Sequence, residues 1–419
     1  MRGMTRSLLI SALLAACLCL AQAVGSVWAT AAVLSACLVW MLQRAAVGQA
    51  LACLLFFLPW STLMKLHPGG NSFYTFGLLG AAVIAFGRND FRLETTSTVL
   101  TSLLFMLVCS ARLLRGAPPE ANILAFFALL LLLPALARMA ESEDFQSVTL
   151  LFVFGILSAA LAARVLEARE ALSGYIHLHS YAGIVRRSGL YGDPNFYAAQ
   201  VAAALGGALF SAEKRKRWIP VCLALFLVGL ASFSKMFLLV IALEVLVGIL
   251  WARGGCKIGY LALLLFAVAL SPAFPAQLRA MLARFGVTGG MAVLTTGRTE
   301  LWSSYARAFV LEPRLLLFGE GFARERLLME LGSHSTPLQL IFQLGLPGAA
   351  LMSFWLGSLF VPAKGRRIAR SGAVVLLIGA FLPWLALDML FFDEFLLLPI
   401  YAALALHGEE PADICRKFV

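Results

Sequence analysis

The sequence predicts an all-α polytopic membrane protein, and three observations carry that reading. Hydrophobic residues fill 61% of the 419 positions and charged residues 13%, with a mean hydropathy of +0.89. Apolar runs close to the ~20 residues that cross ~30 Å of hydrocarbon recur from one end of the chain to the other. The strongest Lys/Arg clusters between those runs fall on alternate loops, as the excess of positive charge on cytoplasmic loops requires. Backbone groups in hydrocarbon must be paired within their own segment, so the runs are expected to be helices.

Taken in order, the runs give about 14 spans. They lie near 7–24, 26–42, 46–64, 72–87, 95–111, 120–138, 146–166, 195–211, 217–233, 236–252, 257–273, 337–361, 372–387 and 389–407. The 217–252 region reads as a tight hairpin or one broken pair. At the start, Arg2 and Arg6 precede an apolar run, and Ala21-Gln22-Ala23 resembles a signal-peptidase site. Because a second span follows almost at once, an uncleaved first helix is expected. With the N-terminus inside, Arg44, Arg88, Arg92, Arg138, Lys214 to Arg217, Arg253, Lys257, Lys364, Arg366, Arg367, Arg370, Arg416 and Lys417 all become cytoplasmic, as do both termini. The whole chain, 1–419, then forms a single integral membrane domain with two substantial external loops, near 167–194 and 274–336.

Composition also excludes some classes. The formal charge of +11 follows from the cytoplasmic loops, and no nucleic-acid-binding signature accompanies it, so no nucleic-acid partner is expected. The eight cysteines lie mostly inside apolar runs without paired metal spacing, which marks them as small buried hydrophobes. There is no Walker A sequence. Neither a metal nor a cofactor is called for.

The external loops carry arginines against the usual bias. Arg169, Arg186 and Arg187 lie in the first; Arg279, Arg284, Arg298, Arg307, Arg314, Arg324 and Arg326 lie in the second. Arginine retained there suits an anionic headgroup or a diphosphate, which its planar fork can grip bidentately. Arg186-Arg187 precede Asp193-Pro194-Asn195, where Asp as N-cap and Pro at the first turn start a helix. A helix N-terminus with an arginine beside it can hold phosphate; anchoring to lipid headgroups is the competing reading. Lys235, after Ser234, fits either snorkelling to the interface or a further diphosphate contact. If a helix starts near Gly297, then Arg298, Trp302 and Tyr305 share a face. That face suits a glycosyl diphosphate, or else an amphipathic helix lying on the membrane. His334, before Ser335-Thr336-Pro337, is suited to take a proton from a sugar hydroxyl near neutral pH; a helix-start role is the plainer alternative.

The order of these motifs is more specific than any one of them. Arg186-Arg187-Ser188-Gly189, Asp193-Pro194-Asn195 with Ala198, Ser234-Lys235, Gly297-Arg298 with Trp302, Gly319-Glu320-Gly321-Phe322, and His334-Ser335 with Gly345 and Gly348 follow one another over residues 183–350. This succession resembles the bacterial O-antigen ligase and O-antigen polymerase family. The resemblance implies a type C, inverting, metal-independent glycosyltransferase of the bacterial cytoplasmic (inner) membrane, acting in cell-surface polysaccharide assembly. Its donor would be an undecaprenyl-diphosphate-linked oligosaccharide and its acceptor a glycan or lipid, with membrane lipids around it. Arg187, Arg298 and Lys235 would bind the donor diphosphate, His334 would serve the acceptor hydroxyl, and Arg186, Asn195, Trp302 and Tyr305 would be accessory. Lys235 stands where the family commonly has arginine, and Ser335 where it often has asparagine. A transporter or flippase of lipid-linked sugars is the alternative; it calls for charges buried near mid-membrane, and Glu244 and Asp388 are the clearest candidates.

Overall fold

A computed structural model of the chain describes residues 2–43, 47–66, 93–117, 121–139, 145–169, 179–181, 184–212, 216–251, 257–270, 298–322, 333–360, 370–390 and 393–407, with positions 73, 77, 80, 84 and 87. Most of the expected span at 72–87, the 274–336 loop before Arg298, and the arginines at 279, 284, 324 and 326 lie outside the described residues.

Helices dominate. The chain opens with α1 (Arg2–Val24) and α2 (Val27–Leu42). Gly25 separates them at φ +68°, and the Ser26 hydroxyl caps α2 by accepting from the Ala29 amide at 3.2 Å. Then come α3 (Val47–Phe57), α4 (Thr95–Arg115), α5 (Ala121–Met139) and α6 (Phe145–Ala168). The segment after α6 holds a short antiparallel hairpin, β1 (His179–Tyr181) and β2 (Ile184–Arg186), in register His179 to Arg186. The sequence carries no signal for this hairpin, because two three-residue strands show no legible alternation. Next are α7 (Pro194–Ala212), α8 (Ile219–Leu230), α9 (Lys235–Trp251), α10 (Lys257–Leu270), α11 (Arg298–Leu311), α12 (Arg314–Phe318), α13 (Thr336–Ser358), α14 (Arg370–Phe381) and α15 (Asp393–His407). Of the two options for 217–252, the structure takes the tight hairpin, turning at 231–234 between α8 and α9.

Among the described residues, four helices are long and apolar enough to cross a membrane: Arg6–Val24, α4, α6 and α13. Shorter apolar helices accompany them. Proline accounts for some of the shortening. Pro59 and Pro383 sit in 3₁₀ turns, Leu58–Trp60 and Leu382–Leu385, that tighten the ends of α3 and α14. The outer surface carries large apolar side chains such as Leu9, Trp28, Met106, Leu161 and Leu265. An apolar belt of that extent suits lipid rather than water, so the architecture is compatible with an all-α membrane protein.

The centre of the bundle is α7, whose side chains are buried over almost its whole length. A helix apolar on all sides can be accommodated this way, and its alanines and glycines let neighbours approach closely. It packs on α6, α8, α9 and α14. A Cβ at Gly206 would come 2.9 Å from Glu244 Oε1 on α9 and 3.1 Å from Leu376 Cα on α14, so the glycine makes room for a buried carboxyl.

Contacts between connecting segments fall at two ends. At the start of α4, Glu94 pairs with Arg138, 3.3 Å away, and Ser97 meets Ser358 of α13 at 3.0 Å. At the far end of α4, Arg115 pairs with Glu320. That second end also gathers the start of α13, the start of α7 and the turn before α9, and it is where the candidate residues lie.

Candidate functional site

The second end is organised around Asp388, between the 3₁₀ turn after α14 and α15. Its carboxylate accepts hydrogen bonds from the Ser333 hydroxyl, from the His334 amide at 2.7 Å and from the Ser335 amide at 2.9 Å. Ser335 is the N-cap of α13 but makes no cap bond with its own side chain. Asp388 supplies that anion from a distant part of the chain, where the free N–H groups and helix dipole favour it. Thr336 completes the clamp: its hydroxyl donates to the Leu387 carbonyl at 2.5 Å and accepts from the Met389 amide at 3.0 Å. Held this way, His334 adopts φ +50°. For a residue with a β-carbon this left-handed conformation costs about 1–2 kcal/mol, and such strain concentrates at functional sites.

From the other side, α11 closes on the same segment. The Trp302 indole N–H donates to the Ser333 carbonyl at 3.0 Å. Tyr305 is buried with Leu301, Ala308, Leu315 and Phe342, its ring edge-on to Phe342 at 5.0 Å. Burial, with the negative charge of Asp388 adding to it, pushes the Tyr305 phenol up to about 12, so it stays neutral. Arg298 opens α11, as the sequence predicted within a residue. Burial lowers its guanidinium pKa, while the charges of Asp388 and Asp193 act in the opposite direction. Arg298 therefore sits within the electrostatic reach of both carboxylates, one beside the His334 segment and one at the start of α7.

At the start of α7, Asp193 caps the helix as expected, accepting from the Asn195 amide at 2.7 Å and the Phe196 amide at 3.2 Å. Asn195 Oδ1 accepts from Arg186 at 2.7 Å and from the Ser234 hydroxyl at 3.1 Å. Arg186 also donates to the Ser232 carbonyl at 3.0 Å. Arg186 and Asn195 thus tie β2, α7 and the α8–α9 turn together, and Lys235 begins α9 right behind that turn. Arg187 points differently: its guanidinium lies 3.4 Å from Glu167 Oε1, toward α6. The structure gathers Arg298, Trp302, Tyr305, His334 and Asp388 on one side and Arg186, Asn195 and Lys235 on the other, with the charge of Asp193 acting on Arg298. Arg187 lies at the edge, facing a separate groove.

The Gly319-Glu320-Gly321-Phe322 motif is scaffold. Pro347 has no N–H to return to the Gln343 carbonyl, and Gly345 leaves the helical region at φ +67°, so α13 kinks. The freed Phe342 and Gln343 carbonyls accept from the Glu320 and Gly321 amides, each at 2.8 Å. Arg112 donates to the Gly321 carbonyl at 3.1 Å, and Arg115 to the Gly319 carbonyl at 3.1 Å. Sequence reasoning missed these two arginines and the role of Asp388. The one available signal for Asp388 was a lone carboxylate at the border of two expected spans.

Beside the His334 segment, an apolar cavity of about 670 Å³ follows α13 from Thr336 and Pro337 down to Phe360, walled by α14 through Leu377 and Phe381. The arrangement can bind an anion at Arg298, orient a group at His334 and accept hydrocarbon alongside. Among the described residues, no group of three His, Cys, Asp or Glu converges as a metal-ligand set. No known family model matches this chain, and no curated protein or solved structure shows significant similarity to it.

Proposed function

We propose that the chain is a membrane glycosyltransferase that moves or polymerises glycan from an undecaprenyl-diphosphate-linked donor. The observation that carries this reading is one carboxylate at the end of a helical bundle, Asp388, which accepts from the His334 amide at 2.7 Å and whose charge acts on Arg298. In this reading the chain crosses the bacterial cytoplasmic membrane about 14 times, with both termini in the cytoplasm and the Asp388 end outside, as the alternation of basic loops supports.

The chemistry follows from the placement. The anomeric carbon–oxygen bond to the diphosphate breaks, and the diphosphate leaves with the electron pair. Arg298 offsets the charge that builds on it, as positioned cations do for developing anions. The acceptor oxygen forms the new bond from the opposite face, and its proton passes to the His334 imidazole and then to water. Asp388 acts through His334 by fixing its backbone. Whether the acceptor is another carrier-linked unit or a lipid anchor separates polymerase from ligase; the apolar cavity beside Thr336 suits a lipid-borne acceptor in either case.

The test uses purified protein in lipid nanodiscs with glycan-loaded undecaprenyl diphosphate. Arg298→Ala is expected to abolish transfer. His334→Ala is expected to slow transfer by about 10²–10⁴-fold while donor still binds. Turnover at the wild-type rate in Arg298→Ala would sink the proposal. Flippase activity is the second reading, favoured by Glu244, fully buried within α9; carrier translocation without glycan transfer would support it.

A further inference from the structure

The outward side of α11 changes character along its length. Near its start it is polar: Glu300 is exposed, and the Ser303 and Ser304 hydroxyls both donate to the Glu300 carbonyl, at 2.7 Å and 3.1 Å. Arg307 follows on the exposed side one turn later. The helix then ends in Val310 and Leu311, exposed at 78% and 80%. Its inward side is already occupied, since Tyr305 packs on Phe342 and the Trp302 indole reaches the Ser333 carbonyl. The apolar end of α11 therefore points away from the face that meets α13.

The short helix α12 continues the patch with Leu317, also exposed. Its place is fixed from two sides. Arg115, the last residue of α4, donates to the Gly319 carbonyl at 3.1 Å and pairs with Glu320. On α13, a Cβ at Gly345 would come 2.6 Å from the Leu317 carbonyl carbon. Next to these contacts, Leu113 and Leu114 of α4 and Leu346 of α13 are exposed. Both α4 and α13 are long and apolar enough to span a membrane, and Leu113 and Leu114 lie in the last turn of α4, where it leaves the hydrocarbon. Leu346 stands ten residues beyond Thr336 on α13, about 15 Å along the helix at its usual rise. The α11–α12 corner thus lies at the membrane border, and α11 climbs from it toward the Asp388 cluster. Single exposed apolar side chains are ordinary, but a contiguous set of this size marks a contact surface.

We propose that the corner between α11 and α12 is sunk into the membrane leaflet at the Asp388 end, with Val310, Leu311 and Leu317 among the acyl chains. Lipid is the occupant because the patch is continuous with the outer faces of α4 and α13, which the bilayer covers in any case. Charge agrees with this: Arg307 and Arg314 flank the apolar corner on either side, and Arg314 is held in the open by Glu312 at 3.0 Å. Apolar side chains in the leaflet with basic ones at the headgroups are the pattern of an interfacial helix. The gradient along α11 makes it an inclined strut, with its foot in the lipid and its Arg298 end above. The foot then sets the height of Arg298 over the membrane. This seat requires only that the bundle spans a membrane, and it is independent of glycan transfer.

The test is photocrosslinking of the full-length protein in nanodiscs of phosphatidylethanolamine and phosphatidylglycerol. Leu311, Leu317 or Ser303 is replaced, one at a time, by p-benzoylphenylalanine, and the irradiated samples are read by intact mass. Phospholipid adducts are expected at 311 and 317 in about tenfold or greater excess over 303, which lies on the exposed but polar part of α11. Leu317 belongs to a different helix from Leu311, so the second position keeps the test valid if replacement of the first disturbs folding. Adducts at 303 in equal yield, or no lipid adduct at either 311 or 317, overturn the proposal. A crosslink between two protein chains at 311 or 317 overturns it as well, by marking the corner as a subunit interface. No glycan donor enters the assay, so its outcome is separate from the fate of the transferase reading.

Discussion

His334 separates a structural role from a chemical one more cleanly than other residues of the site. Its left-handed backbone is tolerated because Asp388 holds the amides on either side of it, and glycine would adopt the same φ without the steric cost. His334→Gly should therefore change stability by no more than about 1 kcal/mol, since relief of strain and added chain entropy oppose one another. Transfer should nevertheless be lost. Thermal unfolding and turnover measured on one preparation check both halves; retained turnover would reduce His334 to a helix-start residue. Asp388→Ala should behave differently: the His334 amide loses its acceptor, and the Ser333 hydroxyl and Ser335 amide keep only their weaker local bonds, to the Ser335 carbonyl and the Ser333 hydroxyl. A cost of about 2–3 kcal/mol and loss of activity together are the expected outcome.

The elements were more legible than their partners. The helix starts at Pro194, Lys235, Arg298 and Thr336 follow from local signals: a cap, a proline, the edge of an apolar run. Asp388 was not legible as a site residue, because it meets His334 across 54 positions of sequence, and no local pattern encodes that. The same holds for Arg115 and Glu320. Their carboxylate–guanidinium pair is largely buried, at 9% and 4% side-chain exposure, and it locks the Gly319–Phe322 segment against α4. Removing one partner of a buried pair strands the other, so Arg115→Met should destabilise by about 3 kcal/mol. Arg115→Met combined with Glu320→Gln should recover part of that loss, and a double-mutant cycle on thermal stability checks it. Gly319→Ala should be worse tolerated than an ordinary loop change. Gly319 sits at φ +66°, and a Cβ there would press on the Gln343–Leu344 backbone, which is the kink of α13 itself.

At the scale of the whole molecule, the two ends of the bundle differ in chemistry. One carries ordinary pairs such as Glu94 with Arg138. Among the described residues, the other holds the non-glycine positions of positive φ, Phe233, Phe322 and His334, all in turns at the Asp388 end. Strain collected at one end of a helical bundle is what a site over-determined by its surroundings looks like. With Arg298 carrying the leaving-group charge, the proposed chemistry needs no divalent ion, so EDTA should leave the transfer rate unchanged; strong inhibition would contradict that step. In the proposed function, the Arg298–His334 cluster transfers glycan from a lipid diphosphate. Its most direct test is complementation of a deletion strain with wild type and Arg298→Ala, reading surface polysaccharide and carrier-linked glycan together. Wild type is expected to restore the polymer. With Arg298→Ala the polymer should be lost and glycan should accumulate on the carrier, as single units for a polymerase or as finished chains for a ligase. Unchanged pools in the Arg298→Ala strain would contradict it.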